Sequence, residues 1–120
     1  DLIENYSRYS VRFELAAYDE DKNLKGTYYS NVPAEEYDQM IFAMESILEK
    51  HTINTPKNYT EVSFAGSQGF LTGCFWYEED KKWYEYIKLA SEDDAQIILQ
   101  KNDYLKIIKI LRKAEKIFKT

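Results

Sequence analysis

Residues 69–90, GFLTGCFWYEEDKKWYEYIKLA, constrain the fold more than any other part of the chain, because they hold two aromatic-rich runs separated by a short acidic turn. Runs of this length and composition are typical of β-strands. A two-residue loop at Glu79 and Asp80 predicts an antiparallel hairpin. Its register would pair Trp76 with Trp83, Cys74 with Glu85, Thr72 with Ile87, and Phe70 with Leu89.

The hairpin predicts one sheet face that carries the two tryptophans, the Trp face, and an opposite face rich in tyrosine, the Tyr face. The Tyr face comprises Leu71, Phe75, Tyr77, Tyr84 and Tyr86. A half-exposed antiparallel sheet normally has a polar wet side. Because both faces of this hairpin are apolar or aromatic, the Tyr face must either be covered by another part of the fold or be used for binding.

Two strands and a helix are predicted ahead of the hairpin. Residues 10–18 alternate apolar and polar side chains, as in a half-buried strand, and residues 24–32 return as a second strand. Pro33 cannot donate to a strand ladder and is typical of the first turn of a helix. Apolar residues at helical spacing predict that this helix ends near His51, with Phe42 lying off its apolar side.

Residues 59–66 predict a third strand that turns through the glycine-containing segment 66–69 into the hairpin. A two-residue loop would place Val62 and Phe64 beside the Tyr face, whereas a bulged loop would place them on the Trp face. The sequence leaves both registers open. Residues 95–99 predict one further short strand.

The C-terminal residues predict a long amphipathic helix that begins at Asn102, a favourable cap. Its apolar arc comprises Tyr104, Ile107, Ile108, Ile110, Leu111, Ala114, Ile117 and Phe118. A stripe on the opposite side comprises Lys106, Lys109, Lys113 and Lys116. This stripe is either the solvated side of the helix or a patch for an acidic partner or a phosphate backbone.

The predicted order of elements is ββαββ(ββ)α, which indicates an α+β fold. We expect an antiparallel sheet of five to six strands with two helices mainly on one face. Residues 1–120 are expected to form a single α+β domain, with residues 1–9 as a flexible arm.

The charge is unevenly distributed along the chain. Residues 1–100 hold nine Lys and Arg against nineteen Asp and Glu, a balance of −10, whereas residues 101–120 hold seven against two, a balance of +5. An acidic body disfavours indiscriminate binding to nucleic acid, because its field repels phosphate. No apolar stretch is long enough to cross a bilayer, so no membrane insertion is expected. Asp1 at the start, eleven Tyr and little Ala slightly favour an exported, periplasmic or extracellular protein over a cytoplasmic one.

Signatures of catalysis are weak. Cys74 and His51 are the only cysteine and histidine, so a Cys–His pair would need a chance meeting in the fold. The run from Asp19 to Asn23 resembles the start of a calcium loop but lacks the later glycine and acid, and is more typical of a hairpin turn. We predict no enzyme, no cofactor and no metal site. Glu85 stands out, because a carboxylate on the Trp face must be paired or neutral if it is buried.

The predicted function is therefore that of a small binding domain whose aromatic sheet face contacts another protein, including a second copy of itself. The candidate binding residues are Phe75, Tyr77, Tyr84, Tyr86, Lys106, Lys109 and Lys113. The alternative is an aromatic platform for a glycan or a single-stranded nucleic acid. The lysines and aromatics are expected on opposite sides of the sheet, which makes nucleic acid the less favoured ligand.

Overall fold

A computed structural model describes residues 10–51 and 54–118. Its strands are β1 (Ser10–Tyr18), β2 (Leu24–Pro33), β3 (Glu61–Ala65), β4 (Leu71–Tyr77), β5 (Lys82–Lys88) and β6 (Gln96–Leu99). Its helices are α1 (Ala34–Ser46), which continues as a π-helical turn over Ile47–His51, and α2 (Lys101–Phe118). A short 3-10 turn over Asp93–Ala95 precedes β6. The order of elements is therefore the predicted one, and the arm predicted over residues 1–9 lies outside the described residues.

The strands form two antiparallel sheets, so the prediction of one sheet of five to six strands is wrong. Among the described strands, β1 pairs only with β2, and the other four form a sheet in the order β3-β4-β5-β6. The two sheets meet through side chains rather than backbone hydrogen bonds, with the Phe13 and Phe70 ring centroids 4.4 Å apart. Alternation of apolar and polar residues identifies the buried side of a strand but does not identify its edge partners, which explains the error.

The register of the aromatic hairpin is confirmed. Trp76 pairs with Trp83, Cys74 with Glu85 and Thr72 with Ile87. The connecting loop is longer than predicted, because the ladder ends at the pair Tyr77 and Lys82 and leaves residues 78–81 as a four-residue turn. Lys81 closes this turn in the left-handed region, with φ of 53°. A four-residue loop centred on Glu79 and Asp80 preserves the register of a two-residue loop, so the pairing was predicted correctly from the wrong turn.

The bulged alternative for β3 is the one observed. Val62 pairs with Cys74 and Phe64 with Thr72, which places both apolar side chains on the Trp face. Gly66 donates its backbone N–H to the Phe70 carbonyl at 2.7 Å, and Gly69 adopts φ of 91°. A glycine in the left-handed region is typical of a three-residue hairpin loop, and it shifts the register by one residue relative to a two-residue loop.

Both helices contribute to a core that covers the Trp face. The buried cluster takes Met40, Ile41 and Met44 from α1 and Tyr104, Ile108 and Leu111 from α2, together with Phe70, Cys74 and Ile87 of the sheet segment. The Tyr104 and Thr72 hydroxyls hydrogen-bond at 2.8 Å, which fixes α2 against β4. Tyr37 of α1 donates its hydroxyl to the Leu111 carbonyl at 2.5 Å, which joins the two helices.

The predicted apolar arc of α2 is too wide. Ile110 is 63% exposed and Ile117 is 79% exposed, whereas Tyr104, Ile108 and Leu111 are buried as predicted. The helix also begins one residue earlier than predicted, with the Tyr104 N–H donating to the Gln100 carbonyl at 3.0 Å. The exposed side of α2 is therefore a mixture of aliphatic and lysine side chains rather than a purely polar surface. Within the described ranges, no helix is long and apolar enough to cross a bilayer.

Candidate binding faces

The Tyr face is the uncovered side of the four-stranded sheet. None of its residues belongs to the core cluster, which draws only on the Trp face of β4 and β5 and on the elements packed there. Tyr77 is 40% exposed, and Phe75 and Tyr84 are half-buried. In the part of the chain that the structure describes, the predicted aromatic face is thus open to contact.

The aromatic rings of the Tyr face form one continuous surface. The Phe75 centroid lies 5.6 Å from that of Tyr84, in a stacked arrangement, and 6.0 Å from that of Tyr86. Tyr59, from the loop before β3, extends the row, with its centroid 6.4 Å from Phe75. Tyr77 packs edge-on against Tyr84 at 6.3 Å. Rings at these separations support one another, so the surface is rigid before any partner binds.

Carboxylates accept hydrogen bonds from the tyrosines of this surface. Tyr59 and Tyr86 both donate to Glu61, at 2.6 Å to Oε1 and 2.5 Å to Oε2. Tyr77 donates to Glu79 at 3.1 Å, and Tyr84 donates to Asp80. The Tyr face is therefore an aromatic surface that carries both acidic groups and two lysines, Lys82 and Lys88, at its margins.

The hydrogen bonds change the acidity of the groups that make them. Donation from Tyr59, followed by donation from Tyr86, lowers the pKa of Glu61 below its ordinary value. The same bond raises the pKa of Tyr59 to about 12. Hydrogen bonds to Asp80 and Glu79 likewise raise the pKa of Tyr84 and of Tyr77. Glu61 is therefore held in its ionised form and the tyrosines in their neutral form, so the Glu61 carboxylate offers a local site for a cation among the rings.

Tyr86, one of the predicted binding residues, is buried rather than exposed on the Tyr face. It is 4% exposed, because its ring crosses β4 toward Glu61 on β3. In the register Gly73 lies between Tyr86 and Ser63, and Glu61 is two residues before Ser63, opposite Phe75, so the hydrogen bond runs diagonally across β4. Burial, followed by the bond to Glu61, raises the pKa of Tyr86. Tyr86 therefore packs against Phe75 and holds Glu61 in place within the Tyr face, rather than contacting a partner.

The predicted lysines lie on α2, away from the Tyr face. Lys106, Lys109 and Lys113 are exposed, together with Ile110 between them. The buried side of α2 packs on the Trp face, where Tyr104 contacts Thr72. The lysines and the aromatics therefore occupy opposite sides of the molecule, as predicted, and do not form a single groove.

Glu85 and Cys74 are adjacent on the Trp face but offer no accessible reaction centre. Glu85 is 3% exposed and Cys74 is fully buried. Burial raises the pKa of Glu85, although the Lys101 charge opposes the shift. Burial also raises the pKa of the Cys74 thiol to about 12, with the Glu85 charge adding to the effect. A buried thiol held neutral in this way is a packing group rather than a nucleophile.

The other residues that the sequence suggested for metal binding have structural roles. Asp19 Oδ1 accepts the backbone N–H groups of Asp21 and Asn23, both at 2.9 Å, so the calcium-like run is a hairpin turn that uses its own carboxylate. A search of the described ranges found no group of three or more His, Cys, Asp or Glu placed to hold a metal ion. The His51 side chain lies outside what the structure describes.

Sequence reasoning missed Tyr59 and Glu61 as members of the Tyr face. Glu61 pairs with Phe75, and Tyr59 precedes it by two residues. The missing information was the register of β3, since only the bulged register brings Glu61 to the Tyr face. The glycine at position 69 was the signal that could have selected this register. No known protein family matches the chain, and comparisons with curated proteins and with solved structures found no significant match to either.

Proposed function

We propose that the chain is a non-enzymatic binding domain that associates with further copies of itself. The Tyr face of one copy receives the exposed side of α2 from the next. One observation carries the proposal: among the described residues, an aromatic sheet face with carboxylates at its margins lies outside the core, and a helix surface of lysines and isoleucine lies exposed on the opposite side of the molecule. Apolar surfaces left uncovered in this way normally mark interaction sites.

The two surfaces are complementary in charge and chemistry. Lys106, Lys109 and Lys113 supply ammonium groups, and the aliphatic side chain of Ile110 lies between them. The Tyr face supplies carboxylates for the ammonium groups and aromatic rings for the aliphatic carbons. Ammonium groups are also attracted to the faces of aromatic rings, and within one copy Lys82 already lies 5.5 Å from the Tyr84 centroid.

The arrangement predicts a head-to-tail assembly. Because the two surfaces lie on opposite sides of one molecule, they cannot meet within a single copy, and pairing them between copies leaves one free surface at each end. An α2 of 18 residues is about 27 Å long, and a seven-residue strand spans about 23 Å, so the helix matches the sheet in length. A single helix on a four-stranded patch buries an area near the lower limit for specific interfaces. We therefore expect Kd on the order of 10–100 μM.

The alternative use of the Tyr face as a platform for single-stranded nucleic acid has less support. Glu61 accepts hydrogen bonds among the rings and is held ionised, and Glu79 and Asp80 lie at the margin. A nucleic acid bound on this face would bring its phosphate groups close to these carboxylates, and the like charges would repel each other. A glycan on the same face is compatible with the rings. It differs from the proposal in predicting no concentration-dependent association of the protein alone.

Sedimentation velocity over a range of protein concentrations tests the proposal. We expect the weight-average sedimentation coefficient to rise with concentration and to fall back when salt is added, because charge pairs at an exposed interface are screened. Phe75→Thr should abolish the rise, whereas Tyr29→Thr, a control at an exposed tyrosine of β2, should not. A coefficient that stays monomeric up to millimolar concentration would overturn the proposal.

A further inference from the structure

A groove opens at the edge of the four-stranded sheet, at the point where β6 ends. β6 pairs with β5 only from Lys88 to Glu85, and the chain then leaves the sheet to begin α2 at Lys101. β5 continues to Lys82, so its edge near Trp83 has no neighbouring strand among the described residues. The groove left there has a volume of about 790 Å³. Small-molecule sites in proteins fall in this size range.

Trp83 provides a fixed aromatic surface in this groove. Its indole N–H donates to the Asn54 carbonyl at 2.7 Å, and Trp76 packs edge-on against it with centroids 5.7 Å apart. The Trp83 side chain is nevertheless half-buried and lines the groove. An indole that is held on two sides and still accessible can stack on a ligand with little loss of conformational entropy.

The charge of the groove is opposite to that of the protein. Lys81, Lys82 and Lys101 line it, and Glu85 is the one acidic residue among its lining residues. The chain as a whole carries a net charge of −5. The first turn of α2 also lies at the groove, and its leading backbone N–H groups reinforce the positive potential. An anionic group would therefore be attracted to this groove although the protein as a whole is acidic.

Glu85 gives the groove a buried polar group whose hydrogen-bonding capacity is mostly unused. It is 3% exposed, and its carboxyl accepts a hydrogen bond from its own backbone N–H. In the described part of the chain it has no hydrogen bond to another side chain, and the charge acting on it is that of Lys101. A buried carboxyl with free lone pairs is a suitable acceptor for a ligand hydroxyl.

We propose that this groove binds a hydroxylated organic anion of the sugar-acid class, such as a uronic acid unit of a polysaccharide. The carbon–hydrogen face of the sugar ring stacks on Trp83, a sugar hydroxyl donates to Glu85, and the sugar carboxylate lies between Lys81 and Lys101. This site is separate from the interface proposed for the Tyr face, although Tyr84 borders both. The inference does not rest on self-association.

Titration with sodium glucuronate tests the proposal, followed by tryptophan emission and by the indole N–H resonance of Trp83. Glucose serves as the neutral sugar and sodium acetate as the simple anion. The protein is kept dilute enough to remain monomeric in sedimentation. We expect saturable binding of glucuronate with millimolar Kd, and binding of glucose and acetate at least about fivefold weaker. Equal responses to acetate and glucuronate would reduce the effect to simple charge attraction and would overturn the proposal.

Variants locate the site. Lys101→Gln should weaken glucuronate binding about five- to tenfold, because it removes a charge-assisted contact. Lys116→Gln removes the same charge near the far end of α2, about 22 Å away along the helix, and should leave binding unchanged. Trp83→Leu should abolish binding, with circular dichroism showing that the fold is retained. Equal losses for Lys101→Gln and Lys116→Gln, or no binding of glucuronate to the wild-type protein, would contradict the assignment.

Discussion

The hydroxyl of Tyr86 on β5 donates to Glu61 Oε2 on β3 at 2.5 Å, across the whole width of β4. Strands two positions apart are separated by roughly 10 Å, which a tyrosine and a glutamate can bridge together only if nothing stands between them. The intervening position is Gly73. The bridge fixes the position of the Glu61 carboxylate, and with it one negative charge, among the aromatic rings of the face on which the proposed self-association depends.

Gly73→Ala should destabilise the protein by about 2–3 kcal/mol or more. A Cβ at this position would lie 2.3 Å from the Val62 carbonyl oxygen and 2.9 Å from Ser63 Cα, both of which are backbone atoms. Gly26→Ala is a matched control on a strand, since its nearest contact would be 3.4 Å from the Tyr28 hydroxyl. Urea unfolding of both variants measures the difference, and equal stabilities for the two would show that β3 and β4 are not as close as described.

Tyr86→Phe should lower the free energy of unfolding by about 1.5–3 kcal/mol at neutral pH, because it removes one hydrogen bond to a charged acceptor. The bond lowers the pKa of Glu61, so its contribution is present above the unfolded-state pKa of the carboxyl. It should be lost as the pH falls through the lower folded-state pKa. Urea unfolding of the wild type and of Tyr86→Phe from neutral to acidic pH tests this. Tyr59 donates to the same carboxylate but is more exposed, so Tyr59→Phe should lower the free energy of unfolding by less than Tyr86→Phe does.

Glu85→Gln should stabilise the protein at neutral pH and remove part of its pH dependence. Burial raises the folded-state pKa of Glu85, so the folded protein holds this proton more tightly than the unfolded chain does. That advantage is complete below the unfolded-state pKa and is lost as the pH rises through the folded-state pKa. Each unit of pKa displacement corresponds to about 1.4 kcal/mol. A wild-type protein with the same pH profile of stability as Glu85→Gln would contradict the placement of Glu85.

Ser30→Ala should leave the stability unchanged or raise it by up to about 1 kcal/mol. Ser30 lies on β2 and is 4% exposed, and among the described residues its Oγ has no hydrogen-bond partner. Removing a buried hydroxyl that lacks a partner removes a desolvation cost without breaking a bond. Thermal unfolding provides the measurement, and a large loss of stability would reveal a partner for this hydroxyl.

Local patterns in the sequence predicted the elements and the hairpin register well. The Trp76 and Trp83 pair, the division of the hairpin into a Trp face and a Tyr face, and the position of Phe42 off the apolar side of α1 all follow from side-chain alternation and helical spacing, which are properties of neighbouring residues. The division into two sheets was not predictable in this way, because it depends on which strand edges meet. The burial of Tyr86 depends on Gly73 and Glu61, which lie on two other strands.

The α2 helix shows the same limit of prediction from local sequence patterns. Its spacing predicted an apolar side and a lysine side, but Ile110 and Ile117 were assigned to the core and lie exposed. The width of the buried arc depends on how many elements pack around the helix, and the separate β1–β2 sheet leaves α2 less enclosed than a single large sheet would. The groove beside Trp83 could not be predicted from the sequence either, because it exists only where β6 stops before the end of β5.

The most direct test of head-to-tail association is a mixing experiment with two variants, each defective in one surface. Phe75→Thr keeps the exposed side of α2, and the double variant Lys106→Glu with Lys113→Glu keeps the Tyr face. Each should sediment as a monomer alone, and an equimolar mixture should form dimers, because each variant supplies the surface that the other lacks. A mixture that stays monomeric while the wild type associates would show that the Tyr face and α2 do not pair with each other.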